Sequence, residues 1–320
     1  MNLLVCYDGS NCSEAAIDDL VRAGLPADGQ ALVLTVAEVW LPPPNLKENV
    51  TGIKLDAETE QIIQKHRERA EKTVAEAGLL ANRAKERLQR ILPQWEISAE
   101  ATYGSPAWEV LNRADKFKPD LIVAGSHGRS AVSRFILGSI SQKILTEAHC
   151  SVRVARGRIE VDPTPMRLVI GFDNSKGARA AVEAVAARNW REETEIRLIA
   201  ATNPVTPSLI GKIIPPIAHL TEEMNEAERR WLEKSAARVM KALTKRGLKA
   251  SLHIYAGNPR QILVDEAENW NADCIFVGAN AFGSRVERFL IGSTSSAVAA
   301  HAHCSVEVVR KRRTRKPAGK

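Results

Sequence analysis

The sequence predicts an α/β protein built of two tandem units, each a five-stranded parallel sheet with helices on both faces. Three observations predict it. The motifs of the first half recur in the second half in the same order; apolar, β-branched runs alternate with longer amphipathic stretches; and a glycine-rich turn follows the fourth apolar run of the first unit. LLVCYDGSNCSEAA at 3–16 corresponds to LVIGFDNSKGARAA at 168–181, and YGSPAWEVLNRA at 103–114 to IYAGNPRQILVDEA at 254–267. KPDLIVAG at 118–125 answers NADCIFVG at 271–278, and RFILGSISQKILTEAHCSVRVAR at 134–156 answers RFLIGSTSSAVAAHAHCSVEVVR at 288–310. Equivalent positions lie 165 residues apart at Asp8/Asp173 but 154 apart at Gly138/Gly292. The first unit therefore carries about eleven extra residues between its Asp and its central Gly-Ser-Pro segment.

The elements of the first unit follow in order. Strands are expected near 2–7, 31–38, 96–103, 120–125 and 150–155; continuous runs such as ALVLTVAEV suit strands covered on both faces. Helices are expected near 12–23, 56–91, 106–117 and 139–148, with Pro93 closing the long one. The apolar positions of 58–92 are spaced for one face of a surface helix, which favours packing on the sheet over a coiled-coil partner surface. The proline-rich segments PPP at 42–44 and NPVTPSLIGKIIPP at 203–216 suit a flap after the second strand of each unit. Such a flap leaves the carboxyl edge of the sheet, where open α/β folds bind ligands. The boundaries expected are 1–157 and 165–310, joined near GRIEVDPTPM, with a basic tail at 311–320.

Composition narrows the functions. A chain of 320 residues is long enough for two cores, and 44% hydrophobic with 26% charged residues is ordinary for globular domains. No apolar run reaches membrane-spanning length and MNLLVCYDGS lacks a signal-peptide pattern, so a cytoplasmic protein with no membrane partner is expected. The five cysteines, without CxxC spacing, form neither a disulfide framework nor a zinc site. The net charge of +7 and the isoelectric point near 9.2 come from the end of the chain. RKRRTRKPAGK holds seven basic residues, and the remainder carries 38 basic and 38 acidic ones. Nucleic-acid contact, if any, is thus confined to the tail, for which a solubilising role is the simpler reading.

Chemistry concentrates at GSHGRSAVSRFILGSIS, residues 125–141. Gly125 and Gly128, directly after a strand, let the backbone bend and present amides to phosphate oxygens. Gly138 and Ser139 open the next helix, whose unpaired amides and positive dipole end also attract anions. Ser139 and Ser141 suit either hydroxyl donation to phosphate or helix capping. His127 sits inside this loop, where solvation is the simpler reading than phosphate contact. Asp8 is read equally as a metal ligand or a helix N-cap. Cys150 and Cys304 read as packed thiols, His301 and His303 have too few companions for a metal site, and Trp108 and Trp270 read as packing residues.

The spacing G-x2-G-x9-G-S-x-S, with Asp8-Gly9-Ser10 after the first strand and AHCSVRV at the close, resembles the universal stress protein family over nearly the whole chain, twice. The resemblance implies a Rossmann-like fold of the adenine nucleotide α-hydrolase-like type, whose nucleotide-binding members hold ATP, often with a divalent cation such as Mg or Mn, with ADP or AMP as alternatives. It implies that Asp8 and Ser10 lie near adenosine or metal, that Val36 reads adenine through its backbone, and that Gly125, His127, Gly128, Arg129, Gly138, Ser139 and Ser141 surround ribose and phosphates. Single-unit members commonly pair through their last strands, which implies an internal pseudo-dimer through SVRVAR and SVEVVR, with a homodimer of chains possible beyond it.

The second unit departs from the pattern. Asp173, Gly278, Gly283, Gly292, Ser293 and Ser295 remain as candidate nucleotide contacts, but counting back from Gly292 puts Phe282 at the place of Gly128. It puts Ala279 at the place of Gly125 unless the turn carries one inserted residue. The expected function is an ATP-binding regulatory protein of the stress response, with nucleotide mainly in the first unit. The chain has no GxxxxGK[ST] loop, so any ATP turnover is expected to be slow. The competing readings are a nucleotide-free scaffold of the same fold and an enzyme that adenylates its substrate, though no SGGxDS-type or HxGH-type loop is present.

Overall fold

The computed structural model describes residues 1–41, 57–127, 137–156, 165–204, 215–279 and 291–311, with side chains in the segment from 215 described from residue 219. The first repeat contains β1 (Asn2–Cys6), α1 (Asn11–Asp19) with a 3-10 turn at Leu20–Arg22, β2 (Gln30–Ala37), α2 (Ala57–Ile91), β3 (Glu96–Tyr103), α3 (Pro106–Phe117), β4 (Leu121–Gly125), α4 (Ser139–Glu147) and β5 (Ser151–Ala155). The second contains β6 (Arg167–Gly171), α5 (Lys176–Ala186), β7 (Glu195–Thr202), α6 (Pro215–Thr244), β8 (Lys249–Ala256), α7 (Pro259–Asn269), β9 (Cys274–Gly278), α8 (Ser293–His301) and β10 (Ser305–Val309). The long helix ends at Ile91, two residues before Pro93. The proline pair expected in the second flap instead opens α6 at Pro215, because a first-turn residue needs no amide hydrogen. The flap segments 42–44 and 205–214 lie outside the described residues.

All ten strands join one sheet in the order β3-β2-β1-β4-β5-β10-β9-β6-β7-β8. Every pairing within a repeat is parallel, and β5 meets β10 antiparallel, with Val306 opposite Val154, Glu307 opposite Arg153 and Val308 opposite Val152. The last strands thus cover each other's edges, as the family resemblance implied. Equivalent strands lie 165 residues apart at Gln30/Glu195 but 153 apart at Glu96/Lys249, so the extra length of the first repeat falls between β2 and β3.

The two faces of the seam differ. On one face Val152, Val154, Val306 and Val308 belong to a single apolar core that continues into both repeats beneath α3, α4, α7 and α8. The other face has two separate cores, one under α1 and α2 and one under α5 and α6. Between them lies an ionic cluster: Arg153 Nε donates to Asp19 Oδ2 at 2.5 Å, Arg153 Nη1 lies 3.4 Å from Glu307 Oε2, and Arg188 pairs with the same carboxylate. Ser305 Oγ donates to Asp19 Oδ1 at 2.7 Å, while on the rim Arg22 pairs with Asp273 at 2.8 Å. Buried charges persist only when paired and hydrogen-bonded; Arg153–Glu307 and Arg22–Asp273 cross between repeats, while Arg153–Asp19 and Arg188–Glu307 each lie within one.

Two arginines that follow the last strands also cross over. Arg156 Nη2 donates to the carbonyls of Ala299 (2.9 Å) and Ala300 (3.1 Å) near the end of α8. Reciprocally, Arg310 Nη2 donates to Leu145 O (2.6 Å) near the end of α4. Each helix therefore has its carboxyl end capped by a cation from the other repeat, where the helix dipole favours positive charge.

Candidate functional site

In each repeat the strand order reverses direction at the first strand, between β1 and β4 and between β6 and β9, and ligands of open α/β sheets bind beyond the carboxyl ends at such a point. The first wall of that crevice is the Asp-x-Ser turn. Asp8 Oδ1 accepts from Ser10 N at 3.0 Å, Gly9 adopts φ of 76°, and Ser10 Oγ accepts from Ser13 N at 3.2 Å, capping α1. Asp173, Asn174 (φ 60°) and Ser175 repeat the same turn, with Asp173 Oδ1 to Ser175 N at 2.9 Å and Ser175 Oγ to Ala178 N at 3.1 Å. The middle residue must adopt a left-handed conformation, which Gly and Asn supply most readily. The N-cap is therefore Ser10, not Asp8, and one Asp8 oxygen shapes the turn.

The second wall is the fourth strand and the helix after it. At Gly125 an added Cβ would come within 2.8 Å of the Cys12 backbone; at Gly278 it would lie 2.1 Å from Gly177. Both glycines are there because helix α1 or α5 lies directly on the strand end. Ser141 Oγ donates to Gly125 O at 2.7 Å, and Ser295 Oγ to Gly278 O at 2.8 Å. These bonds identify Gly278, not Ala279, as the counterpart of Gly125, and so place the one-residue insertion between 278 and 292. They also leave Ser141 and Ser295 buried, with their hydroxyl hydrogens fastening helix to strand.

Helices α4 and α8 start differently from α1 and α5. They are preceded by Gly138 and Gly292, both extended (φ −63°, ψ 148° and φ −61°, ψ 147°), and neither has a side chain capping its first amides. Gly138 N donates to Ser126 O at 2.8 Å, which ties the helix start to the strand end, and Ser139 is exposed at the opening turn. Ser293 opens α8 in the same way. Among the described residues, the amide donors at both helix starts have no capping side-chain oxygen, at the sheet edge where an anion would complete them.

The third wall is β2. Its pairing with β1 ends at Cys6↔Leu34, whereas its pairing with β3 continues to Ala37↔Tyr103. Thr35, Val36 and Ala37 therefore extend past the turning point of β1, with Val36 half-buried on the crevice side of the sheet edge. The same overhang recurs in β7, where pairing with β6 stops at Ile199 and pairing with β8 continues to Thr202. Ala201, in register with Tyr255 as Val36 is with Thr102, is the second repeat's counterpart of Val36; its signal was present in the repeat alignment.

His127 departs from its expected solvation: it is 8% exposed, with Nδ1 3.0 Å from Ser126 Oγ and Nε2 without a hydrogen-bond partner among the described residues. Burial, and secondarily the nearby Arg156 charge, hold it below the ordinary histidine range, so it is neutral near pH 7. Cys150 and Cys304 are pushed up to about 12 by burial and remain thiols, in keeping with packing. Trp108 is half exposed beneath the Lys143 ammonium (4.4 Å), and Trp270 stacks under Arg197 (4.2 Å). His303 pairs with Glu268 at 3.4 Å. Gly128, Arg129, Phe282 and Gly283 lie outside the described residues, as does the tail from 312. No helix among the described residues is long and apolar enough to cross a membrane.

The doubled α/β unit, with a glycine-started helix at each switch point, defines a tandem protein of the adenine nucleotide α-hydrolase-like fold class. The family model for the universal stress protein family matches residues 1–156 and 165–310, and the chain belongs to that family in its tandem form. A Thermus aquaticus relative, the universal stress protein in QAH/OAS sulfhydrylase 3'region, is 32% identical over 154 residues, 48% of this chain and 97% of its own. Universal stress protein Rv2005c of Mycobacterium tuberculosis is 24% identical over 332 aligned positions, covering 97% of both chains. Among solved structures, a universal stress protein from Archaeoglobus fulgidus superposes with a TM-score of 0.60 at 21% identity, covering 97% of this chain and 98% of that one.

Proposed function

We propose that this universal stress protein binds an adenine nucleotide, ATP in first place, and that the first repeat is its main site. The observation that carries the reading is the uncapped, glycine-started N-terminus of α4 at the switch point, in contrast to α1, whose start Ser10 already satisfies. The donor set fits the ligand: amides of the α4 start and Ser139 face phosphate, and the β2 overhang at Val36 offers backbone to an adenine edge. Asp8 and Ser10 form the ribose side of the crevice, with the Asp8 carboxylate also suited to a divalent cation such as Mg or Mn. Gly125 keeps the strand end close to α1, and Gly128 and Arg129 complete the phosphate loop by their place in the motif. His127, buried and held below the ordinary histidine range, adds no charge to phosphate binding near pH 7.

Binding, not turnover, is the role assigned. Bound ATP supplies phosphate charge to the α4 start, and the chain's own residues orient it there; the motif set contains no lysine of the P-loop type to stabilise a transferring phosphoryl group. The second repeat keeps Asp173, Gly278, Gly292, Ser293 and Ser295, but its loop is one residue longer and has Ala279 where the first has Ser126. Nucleotide there depends on Gly283 replacing Gly128. A regulatory role in the stress response, residence in the cytoplasm and the division at 157–165 belong to the same reading.

Calorimetric titration of nucleotide-stripped protein with Mg-ATP tests it. One ATP per chain is expected, lost on Gly128→Val; two per chain would mean that Gly283 serves the second loop. No binding of ATP, ADP or AMP would overturn the reading in favour of a scaffold.

A further inference from the structure

Helix α6 is divided by charge. Residues 219–228 (HLTEEMNEAE) contain four glutamates and no lysine or arginine, whereas residues 234–246 (KSAARVMKALTKR) contain five basic residues and no acid. The helix also has two apolar faces, where a surface helix needs one. Leu232, Ala236 and Leu243 are buried against the sheet. Leu220, Met224 and Trp231 remain 56%, 52% and 52% exposed, and with Ala227 they follow spacings of four, three and four residues that put them on one strip.

That strip continues into the basic half. At 100° per residue, Arg238 and Ala242 fall on the same line as Leu220 and Met224. There α5 and α6 enclose a groove of about 370 Å³ with an apolar floor that includes Val182, Val239 and Ala242, rimmed by Arg179, Arg238 and Arg246 and by Glu183, which pairs with Lys311 at 3.8 Å. One end of the line is apolar and acidic; the other is apolar and basic.

We propose that a second copy of this chain occupies this surface, its α6 packed antiparallel about a two-fold axis so that the acidic end of each helix enters the basic groove of the other. Charge selects this occupant. A surface whose two ends complement each other is satisfied by its own inverted copy, because a two-fold contact is self-complementary. With the axis near Lys234, Glu223 of one chain lies beside Lys245 of its partner, and Met224 and Trp231 cover the groove floor. Parallel packing would set acid against acid. Lys311, at the root of the basic tail, already pairs with Glu183 at the groove edge, and the remaining rim charge, three arginines, repels further basic residues and attracts acidic ones.

Sedimentation equilibrium of the full-length protein tests the inference. A dimer is expected, weakening as salt rises. Met224→Glu with Trp231→Glu, both on exposed positions, should raise the dissociation constant by about 30-fold or more, the effect of losing a central apolar anchor. Glu223→Lys should also weaken the dimer, and adding Lys245→Glu should restore it. A monomer at all concentrations would overturn the proposal, as would a dimer indifferent to these substitutions or one that forms only with an acidic protein of another kind. Circular dichroism of each variant separates loss of pairing from loss of fold. ATP stoichiometry is read separately, so the two proposals fail independently.

Discussion

Arg153 and Glu307 face each other directly across the antiparallel β5–β10 seam, at equivalent positions of the two repeats, and both are fully buried. The approximate two-fold axis relating the repeats therefore passes through a pair of opposite charges, which a truly symmetric seam could not provide. Arg153→Met should leave Glu307 and Asp19 short of a partner and lower stability by about 3–5 kcal/mol. Urea unfolding followed by fluorescence measures it, and a change below 1 kcal/mol would mean that Arg188 alone satisfies Glu307.

The glycines that end β4 and β9 give a graded pair. Gly125→Ala brings a methyl within 2.8 Å of Cys12 backbone and Gly278→Ala within 2.1 Å of Gly177, so both should destabilise by about 1–3 kcal/mol, the second more. Thermal melts of the two variants give the order directly. Equal melting temperatures would show that α1 and α5 move away freely.

Gly138→Asp is expected to separate stability from binding. Its extended backbone suits a capping aspartate, which would satisfy the α4 amides and add about 0.5–2 kcal/mol to stability. The same carboxylate would occupy the place proposed for phosphate, so ATP affinity at the first repeat should disappear. Retained affinity in a stabilised variant would place the phosphates elsewhere.

The repeat correspondence and most element limits were legible because they rest on periodic burial and on prolines such as Pro93, which sequence records locally; the sheet order was not, and the pairing of the last strands came from the family resemblance. The roles of Ser141, Ser295 and His127 were not. A serine two places into a helix reads alike whether it meets a ligand or a carbonyl sixteen residues back, and only the closeness of α1 to Gly125 decides that Ser141 turns inward. The insertion after Gly278 was ambiguous for a related reason: counting from Gly292 carries no information about which glycine the helix touches. The overhang at Val36 was reached through the family resemblance, since strand pairing beyond β1 has no local signal.

His127 sets a pH dependence. Its folded-state value is depressed below 6.5, so the unfolded chain binds the proton first as pH falls. Stability should therefore be lost as pH drops through 6.5 towards the depressed value, and His127→Gln should remove that part of the slope. Denaturation midpoints from pH 7.5 to 5 check it; parallel curves for the two proteins would assign the slope to other groups.

The crossed arginine caps have a consequence for how such a chain can be divided or descended. Each of these helices is begun by its own half and finished by the other, Arg310 closing α4 and Arg156 closing α8. An ancestral single unit could obtain that finish from any identical neighbour, but here the two finishing strands have diverged to Arg and Glu at their centre. Each half keeps a partner for its own seam charge, Asp19 for Arg153 and Arg188 for Glu307, so what a half released by proteolysis would lose is the finish of its helix, and its own twin would set like charges against each other at the seam.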